Sequence, residues 1–162
     1  MDDSDLLRDL ISLLDENQAH YCVIGGQAVN AYAEPLVSLD LDIVIAAEDL
    51  ARVEALCREV FTVERFPHSI NLSKSESDLR VQIQTDPRYF SFTEHASPKT
   101  VLGVTLPVAR VEDVLQRRIW AVSDHSRRGS KRQKDLADIA RLLEGYPDLR
   151  DQVPTSILDL LV

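Results

Sequence analysis

The stretch that decides the fold reads VIGGQA (residues 23–28) and, after a short spacer, LDLDIVI (residues 39–45). The second part is rich in β-branched and aliphatic residues and predicts a strand. A strand alternates its faces, so Asp40 and Asp42 point to one side while the hydrophobic residues between them point to the other. The glycine pair Gly25–Gly26 predicts a turn whose backbone N–H groups approach an anion closely.

Asp40 and Asp42 form a candidate metal site. Two carboxylates on the same face of a strand repel each other unless a cation lies between them. Carboxylate oxygens are the ligands of hard divalent ions such as Mg²⁺ (or Mn²⁺), whose coordination is usually completed by substrate phosphates. The alternative for an isolated Asp-x-Asp is a solvated strand face. A metal ion beside a phosphate-binding turn indicates phosphoryl or nucleotidyl transfer.

Composition limits the class of protein. The chain has 162 residues, of which 44% are hydrophobic, enough for a domain with its own core. A formal net charge of −9 argues against a broad nucleic-acid-binding surface. No apolar run is long enough to span a membrane, and the acidic N-terminus lacks the basic start of a signal peptide. Cys22 and Cys57 lie in apolar surroundings and are predicted to be core thiols, so we expect a cytoplasmic protein.

The hydrophobic periodicity predicts an α/β (α+β) protein. Residues 1–109 are predicted to form the α/β core, and residues 110–162 a helical region that packs on it or joins it in one domain. Strands are predicted over residues 21–24, 39–46, 61–66, 70–73, 79–84 and 104–108. Helices are predicted over residues 6–14, 27–33, 48–60, 111–122 and 131–144.

Two motifs resemble the minimal nucleotidyltransferase superfamily, which has the DNA polymerase β-like fold. Its signature is a hydrophobic residue, Gly-Gly or Gly-Ser, a short spacer and then Asp-h-Asp-h, where h is hydrophobic; residues 24–26 and 40–43 match it. KRQKDLADIARLL (residues 131–143) is similar to a helix of bacterial AbiEii-type toxin nucleotidyltransferases. Residues 111–118 resemble their preceding helix, which usually carries a lysine where this chain has Arg118. The resemblance covers residues 20–145 and implies a mixed sheet flanked by helices, with a helical C-terminal third.

The resemblance also implies an activity: transfer of a nucleoside monophosphate from an NTP to an acceptor hydroxyl with release of pyrophosphate. Asp40 and Asp42 would hold Mg²⁺ or Mn²⁺, and the backbone of Gly25 and Gly26 would bind the triphosphate. Toxin-type members imply an RNA end or a protein hydroxyl as acceptor more than a small molecule such as an aminoglycoside. The residues that would neutralise phosphate charge are Arg118, Lys131 and Lys134.

The helix over residues 131–144 also has an interpretation without the family. Its first turn is crowded with positive charge, which the helix macrodipole disfavours and a bound anion would compensate. The alternative is a solvated face with i,i+4 ion pairs. A helical wheel predicts a core face of Leu136, Ile139, Ala140 and Leu143, and an opposite face of Lys131, Lys134, Asp135 and Asp138.

One position departs from the family pattern. Polymerase-β-like enzymes carry a third carboxylate on a neighbouring strand, and that position falls at Gln82 in this chain. A glutamine offers a neutral amide oxygen and cannot accept a proton at neutral pH. The alternative function is therefore a catalytically weakened or inactive nucleotidyltransferase-fold protein, acting as a nucleotide-binding or toxin–antitoxin-type interaction module.

Overall fold

A mixed sheet flanked by helices makes up the protein in the computed structural model, which describes residues 3–161. The strands in this part of the chain are β1 (Tyr21–Ile24), β2 (Asp40–Ile45), β3 (Thr62–Phe66), β4 (Ser69–Ser73), β5 (Arg80–Gln84), β6 (Ser97–Val101) and β7 (Val104–Val108). The helices are α1 (Asp3–Glu16), α2 (Gly25–Tyr32), α3 (Ala47–Val60), α4 (Val111–Val122), α5 (Gly129–Gly145) and α6 (Thr155–Leu158). Two 3₁₀ segments cover Pro87–His95 and Pro147–Gln152. The predicted α/β class is confirmed.

The sheet has the strand order β3-β4-β5-β2-β1-β7-β6. Strand β2 lies at its centre, antiparallel to β1 and parallel to β5. Strand β1 is also parallel to β7, while the remaining pairs are antiparallel. The Asp-x-Asp strand is therefore hydrogen-bonded on both sides, which fixes the direction of its side chains.

Helices cover both faces of the sheet. Helices α1 and α3 pack together, and α2 packs with α4 and α5. Strand β1 is buried at every position, as expected of a strand that is covered on both faces. Leu115 of α4 and Ile139 of α5 belong to the same hydrophobic core as Val23 of β1. Among the described residues, no helix is long and apolar enough to cross a membrane.

The loop that leads into β2 is held by side chains. The Asn30 amide donates to the Leu36 carbonyl over 2.7 Å and accepts from the Leu36 N–H over 3.0 Å. The Gln27 amide donates to the carbonyl of Ser38, and the Arg141 guanidinium of α5 donates to Asn30 Oδ1. Because side chains of α2 and α5 form these hydrogen bonds, the loop and the start of β2 have a defined position.

Both cysteines are free and buried, as the sequence predicted. Cys22 lies in β1 and Cys57 in α3. Burial raises the pKa of the Cys22 thiol to about 12 and that of Cys57 to about 11. Both thiols are therefore protonated and act as small core residues.

Two elements were not predicted from the sequence. Strand β6 has the sequence SPKTV and lies at one edge of the sheet, where a proline such as Pro98 is tolerated. The 3₁₀ segment Pro87–His95 begins where Asp86 accepts a hydrogen bond from the Arg88 N–H. Its aromatic residues Tyr89 and Phe92 are buried against the core.

Candidate active site

The two aspartates of β2 line one cleft. Asp40 is exposed and Asp42 is partly buried, whereas Leu41 and Ile43 between and after them are buried on the opposite face. The cleft has a volume of about 470 Å³ and lies on the side of the sheet from which α5 approaches. The structure therefore places Asp40 and Asp42 together on a rigid strand, open to small molecules.

Gly25 lies directly against Asp42. Ile24 pairs with Asp42 across β1 and β2, so the chain begins α2 immediately beside this carboxylate. Gly25 has a φ of +72°, and a Cβ placed on it would lie 2.3 Å from Asp42 Oδ2. Only glycine satisfies both conditions, since other residues strain at positive φ and would collide with the carboxylate. The glycine turn therefore brings the start of α2 next to Asp42.

Gln82 is the direct neighbour of Asp42 on β5, because the parallel pairing of β2 and β5 matches these two residues. The antiparallel pairings continue the line to Asn71 on β4 and Glu64 on β3. All four side chains line the cleft, and we call Asp42, Gln82, Asn71 and Glu64 the polar row. Asn71 Oδ1 is buried without a hydrogen-bond partner. The nearest charged oxygen beyond Asp42 in this row is thus three strands away, at Glu64.

The donor set fits a hard divalent ion. Asp40 and Asp42 offer carboxylate oxygens, Gln82 offers an amide oxygen, and the absence of a side chain on Gly25 lets the Asp42 carboxylate lie against the start of α2. Within the described residues there is no cluster of three His, Cys, Asp or Glu side chains that could hold a metal. A metal ion here would therefore have two charged ligands, and water or substrate oxygens would complete its shell.

Lys131 of α5 reaches the same cleft. It is exposed and contributes to the lining together with Asp40 and Arg80. Lys134, one turn further along α5, is also exposed but does not contribute to the lining. A positive charge from the far end of the chain thus lies beside the two aspartates, and the nucleotide-binding roles of Lys131 and Lys134 stay predictions.

The buried face of α5 differs from the predicted one, and the assignment of Asp135 and Asp138 to an outward face is wrong. Asp135 is fully buried and Asp138 nearly so. Arg118 of α4 lies between them, with Nη1 3.1 Å from Asp135 and Nη2 3.1 Å from Asp138. Arg127 also pairs with Asp135, and Arg141 with Asp138. The helix is turned by about one residue relative to the predicted wheel because a buried ion-pair network, rather than an apolar stripe, faces α4.

Arg118 therefore has a different environment from the one predicted for a phosphate ligand. Its side chain is 6% exposed and both ends of its guanidinium point to carboxylates of α5. Its Nη2 also lies 3.9 Å from the position of a Cβ on Gly26, against the first turn of α2. Burial lowers the pKa of Arg118, and the neighbouring Arg117 lowers it further, while Asp138 and Asp135 oppose this. Arg118 links α4, α5 and α2 and supports the glycine turn.

Sequence reasoning missed Arg117. Its Nη2 lies 3.8 Å from Asp42 Oδ2, and its side chain is only 13% exposed. Arg117 and Arg118 are adjacent and equally basic, so the sequence carries no signal that tells which of them faces the aspartates.

A second groove, of about 500 Å³, lies on the other side of the sheet. It is mainly apolar, with Leu7 and Ile11 of α1 on one side and Val104 of β7 on the other, and it contains none of the candidate residues. Asp40, Asp42, Gln82 and Lys131 line a different cavity, the cleft described above.

Comparison with solved structures defines the class of fold. ANT(2″)-Ia, in complex with adenylyl-2″-tobramycin, superposes with a TM-score of 0.68 at 10% identity over 98% of both chains. An antigenic nucleotidyltransferase-like protein from Paracoccidioides brasiliensis superposes with a TM-score of 0.61 at 18% identity, over 98% of this chain and 86% of the other. The lincosamide antibiotic adenylyltransferase LnuA, bound to lincomycin, superposes with a TM-score of 0.57 at 15% identity, over 84% of this chain and 95% of LnuA. No protein-family model matches the chain, and no curated protein sequence matches it.

The protein thus has the nucleotidyltransferase fold. Identities of 10–18% between the chain and these structures define the fold alone. The AbiEii-type resemblance of residues 111–143 stays a prediction.

Proposed function

We propose that the protein transfers a nucleoside monophosphate from an NTP to an acceptor hydroxyl. The observation that carries this proposal is the position of Gly25 and the start of α2 directly against Asp42, whose side chain lines the same cleft as Asp40 and Lys131. Carboxylates for a cation and N–H groups for phosphate oxygens are two requirements of this reaction, and here the helix that carries the N–H groups begins beside a carboxylate.

Each group has a role in this proposal. Asp40 and Asp42, with the Gln82 amide, would hold Mg²⁺ or Mn²⁺, which supplies charge neutralisation and Lewis-acid polarisation of the phosphate. The backbone N–H groups of Gly25 and Gly26 bind phosphate oxygens at the positive end of α2. Lys131, with Lys134 behind it, offsets negative charge as it moves onto the leaving pyrophosphate. The acceptor oxygen bonds to the α-phosphorus as the bond to pyrophosphate breaks.

The acceptor proton is the weak point of the site. Gln82 occupies the place beside Asp42 where a carboxylate would accept this proton, and an amide cannot do so. Transfer is therefore expected to be slow compared with that of a Gln82→Asp variant.

The same glutamine supports a second candidate, an inactive nucleotide-binding or toxin–antitoxin-type interaction module. In that case the cleft binds an NTP but completes no transfer. For an active protein, the AbiEii-type resemblance favours an RNA end or a protein hydroxyl as acceptor. Since ANT(2″)-Ia and LnuA are solved with adenylyl-tobramycin and lincomycin, a small hydroxylated molecule is the third class to test.

A transfer assay separates these functions. Wild-type protein, Asp42→Asn and Gln82→Asp are incubated with Mg²⁺ and each α-labelled NTP, in the presence of total RNA, a protein mixture or hydroxylated antibiotics. We expect label in one acceptor class, at least a roughly 10–100-fold loss in Asp42→Asn, and a faster rate in Gln82→Asp. The exposed Asp148→Asn is the matched control and should behave as wild type.

NTP binding without transfer, in the wild type and in Gln82→Asp alike, would refute the enzymatic proposal and favour the inactive module. Binding is measured by calorimetry with Mg²⁺ and each NTP in turn.

A further inference from the structure

Arg117 occupies an unusual position next to Asp42. The distance from its Nη2 to Asp42 Oδ2 is 3.8 Å, and the two side chains are 13% and 17% exposed. Within the part of the chain that the structure describes, Asp42 is the one carboxylate at ion-pair distance from Arg117. The guanidinium also lies 5.8 Å from the centre of the Tyr89 ring, and its buried Nε has no hydrogen-bond partner. Arg117 therefore has unused hydrogen-bonding capacity beside Asp42, whose side chain lines the cleft.

Its neighbour Arg118 is satisfied in a different way. Arg118 pairs with both Asp135 and Asp138, so its charge is already compensated within the protein. The charge of Arg117 has only Asp42 to compensate it. Arg117 is thus the less compensated of the two adjacent guanidinium groups.

A divalent cation and Arg117 compete for the same oxygen. Asp42 Oδ2 is the atom nearest the Cβ position of Gly25 and the atom that Arg117 approaches. A metal ion held by Asp42 would place two further positive charges beside the guanidinium, which Coulomb repulsion disfavours in a partly buried site. A triphosphate removes this conflict, since its oxygens accept hydrogen bonds from arginine and also coordinate the metal.

We propose that Arg117 couples metal binding to nucleotide binding: its charge disfavours a metal ion alone at Asp42, and its guanidinium donates hydrogen bonds to the triphosphate of an incoming metal–NTP complex. This inference rests on the proposed function and adds to it an order of binding, with the metal entering together with the nucleotide. A residue that only stabilises the fold would change both affinities in the same direction or neither.

The proposal predicts that neutralising Arg117 changes the metal affinity and the nucleotide affinity in opposite directions. Replacing Arg117 by glutamine removes the competing charge, so the affinity for Mn²⁺ alone should rise by about tenfold. The same change removes a charge-assisted contact to phosphate, so the affinity for an NTP analogue with Mg²⁺ should fall by about tenfold or more. Arg117→Lys keeps the charge but not the planar fork, so we expect metal affinity close to wild type and an intermediate loss of nucleotide affinity.

Two binding measurements test this. Free Mn²⁺ is followed by electron paramagnetic resonance without nucleotide, and binding of a non-hydrolysable fluorescent ATP analogue, and of the corresponding GTP, CTP and UTP analogues, is followed by anisotropy with Mg²⁺. Arg58→Gln is the matched control, because Arg58 is on α3, is 50% exposed and pairs with Glu54 outside the cleft. Thermal unfolding checks that each variant is folded, and Arg117→Met replaces Arg117→Gln if the latter does not fold.

Unchanged Mn²⁺ affinity in the neutral variant, or unchanged nucleotide affinity, overturns the coupling role of Arg117. Failure of the proposed function has a different pattern: the wild type binds nucleotide in an Arg117-dependent way but transfers it to no acceptor. A wild type that binds none of the four nucleotide analogues overturns both.

Discussion

Gly25 shows how a single residue positions the candidate site. Its backbone has a φ of +72°, and the space where a side chain would be is taken by the carboxylate of Asp42. The chain offers two matched comparisons: Gly103 has a φ of +82° with no atoms near its Cβ position, and Gly26 has only ordinary contact with Arg118. Substitutions at these three glycines therefore distinguish the cost of a strained backbone from the cost of a steric collision.

We predict that Gly25→Ala destabilises the protein more than Gly103→Ala does. Gly103→Ala should cost about 1–2 kcal/mol, the strain of a left-handed backbone alone. Gly25→Ala should exceed this because Asp42 must also move, and Mn²⁺ affinity should fall with it. Denaturant unfolding and Mn²⁺ titration of both variants check this. Equal destabilisation of the two, with metal binding intact, would show that Gly25 and Asp42 are not coupled.

For single residues, the sequence correctly predicted which side chains share a face wherever the alternation of side chains along a strand decides it. Asp40 and Asp42 share a face because strands alternate, and Gln82 lies beside Asp42 because the buried residues of β5 set its register. The choice between Arg117 and Arg118 was not predictable in the same way. Both are polar residues on one helix, and their directions depend on which of them finds buried carboxylates on α5.

Helices α4 and α5 are joined by a buried ion-pair network. Arg118 is at its centre, between Asp135 and Asp138, and all three side chains are almost inaccessible. Breaking a buried pair from one side is costly, because the remaining charges stay buried without compensation.

We predict that Arg118→Met destabilises the protein by about 3–5 kcal/mol. Arg58→Met, which removes an exposed i,i+4 pair with Glu54, should cost less than about 1 kcal/mol. The midpoints of urea unfolding measure both changes, provided that the slopes agree with wild type. A loss below about 1 kcal/mol for Arg118→Met would mean that Arg127 and Arg141 compensate the two aspartates by themselves.

At the scale of elements, the helix and strand positions followed from periodicity, while the rotation of α5 did not. Periodicity assumes that buried positions are apolar, and α5 buries Asp135 and Asp138 instead. Strand β6 escaped prediction for a related reason. Its place at the sheet edge removes the requirement for continuous apolar residues and for every backbone N–H.

The whole molecule brings distant parts of the sequence into one cleft. Lys131 follows Asp40 by 91 residues, more than half of the chain, yet both line the same cleft. The packing of α5 on α2 and α4 is responsible, since it projects the first turn of α5 over the sheet. No local sequence pattern predicts that Lys131 and Asp40 line one cleft, whereas the family resemblance implied it.

We predict that Lys131→Ala weakens binding of an NTP analogue by about tenfold, as expected for loss of one charge-assisted contact. The melting temperature should hardly change, because the side chain is exposed. Lys134→Ala, which removes an equal charge one turn away from the lining, should have a smaller effect on the same affinity. An identical loss in both variants would indicate a diffuse electrostatic attraction in place of a direct contact at Lys131.

The residues of the polar row are evenly spaced across the sheet. Asp42, Gln82, Asn71 and Glu64 stand on four adjacent strands, and neighbouring strands are separated by a fixed distance of about 4.8 Å. Three such steps separate Asp42 from Glu64, about 14 Å in total. A molecule bound at Asp42 that also reached the backbone of β3 at Glu64 would span this distance, whereas one that is a strand spacing shorter would reach only as far as Asn71. The hydrogen bonds between the strands therefore fix the spacing of the polar side chains along the cleft.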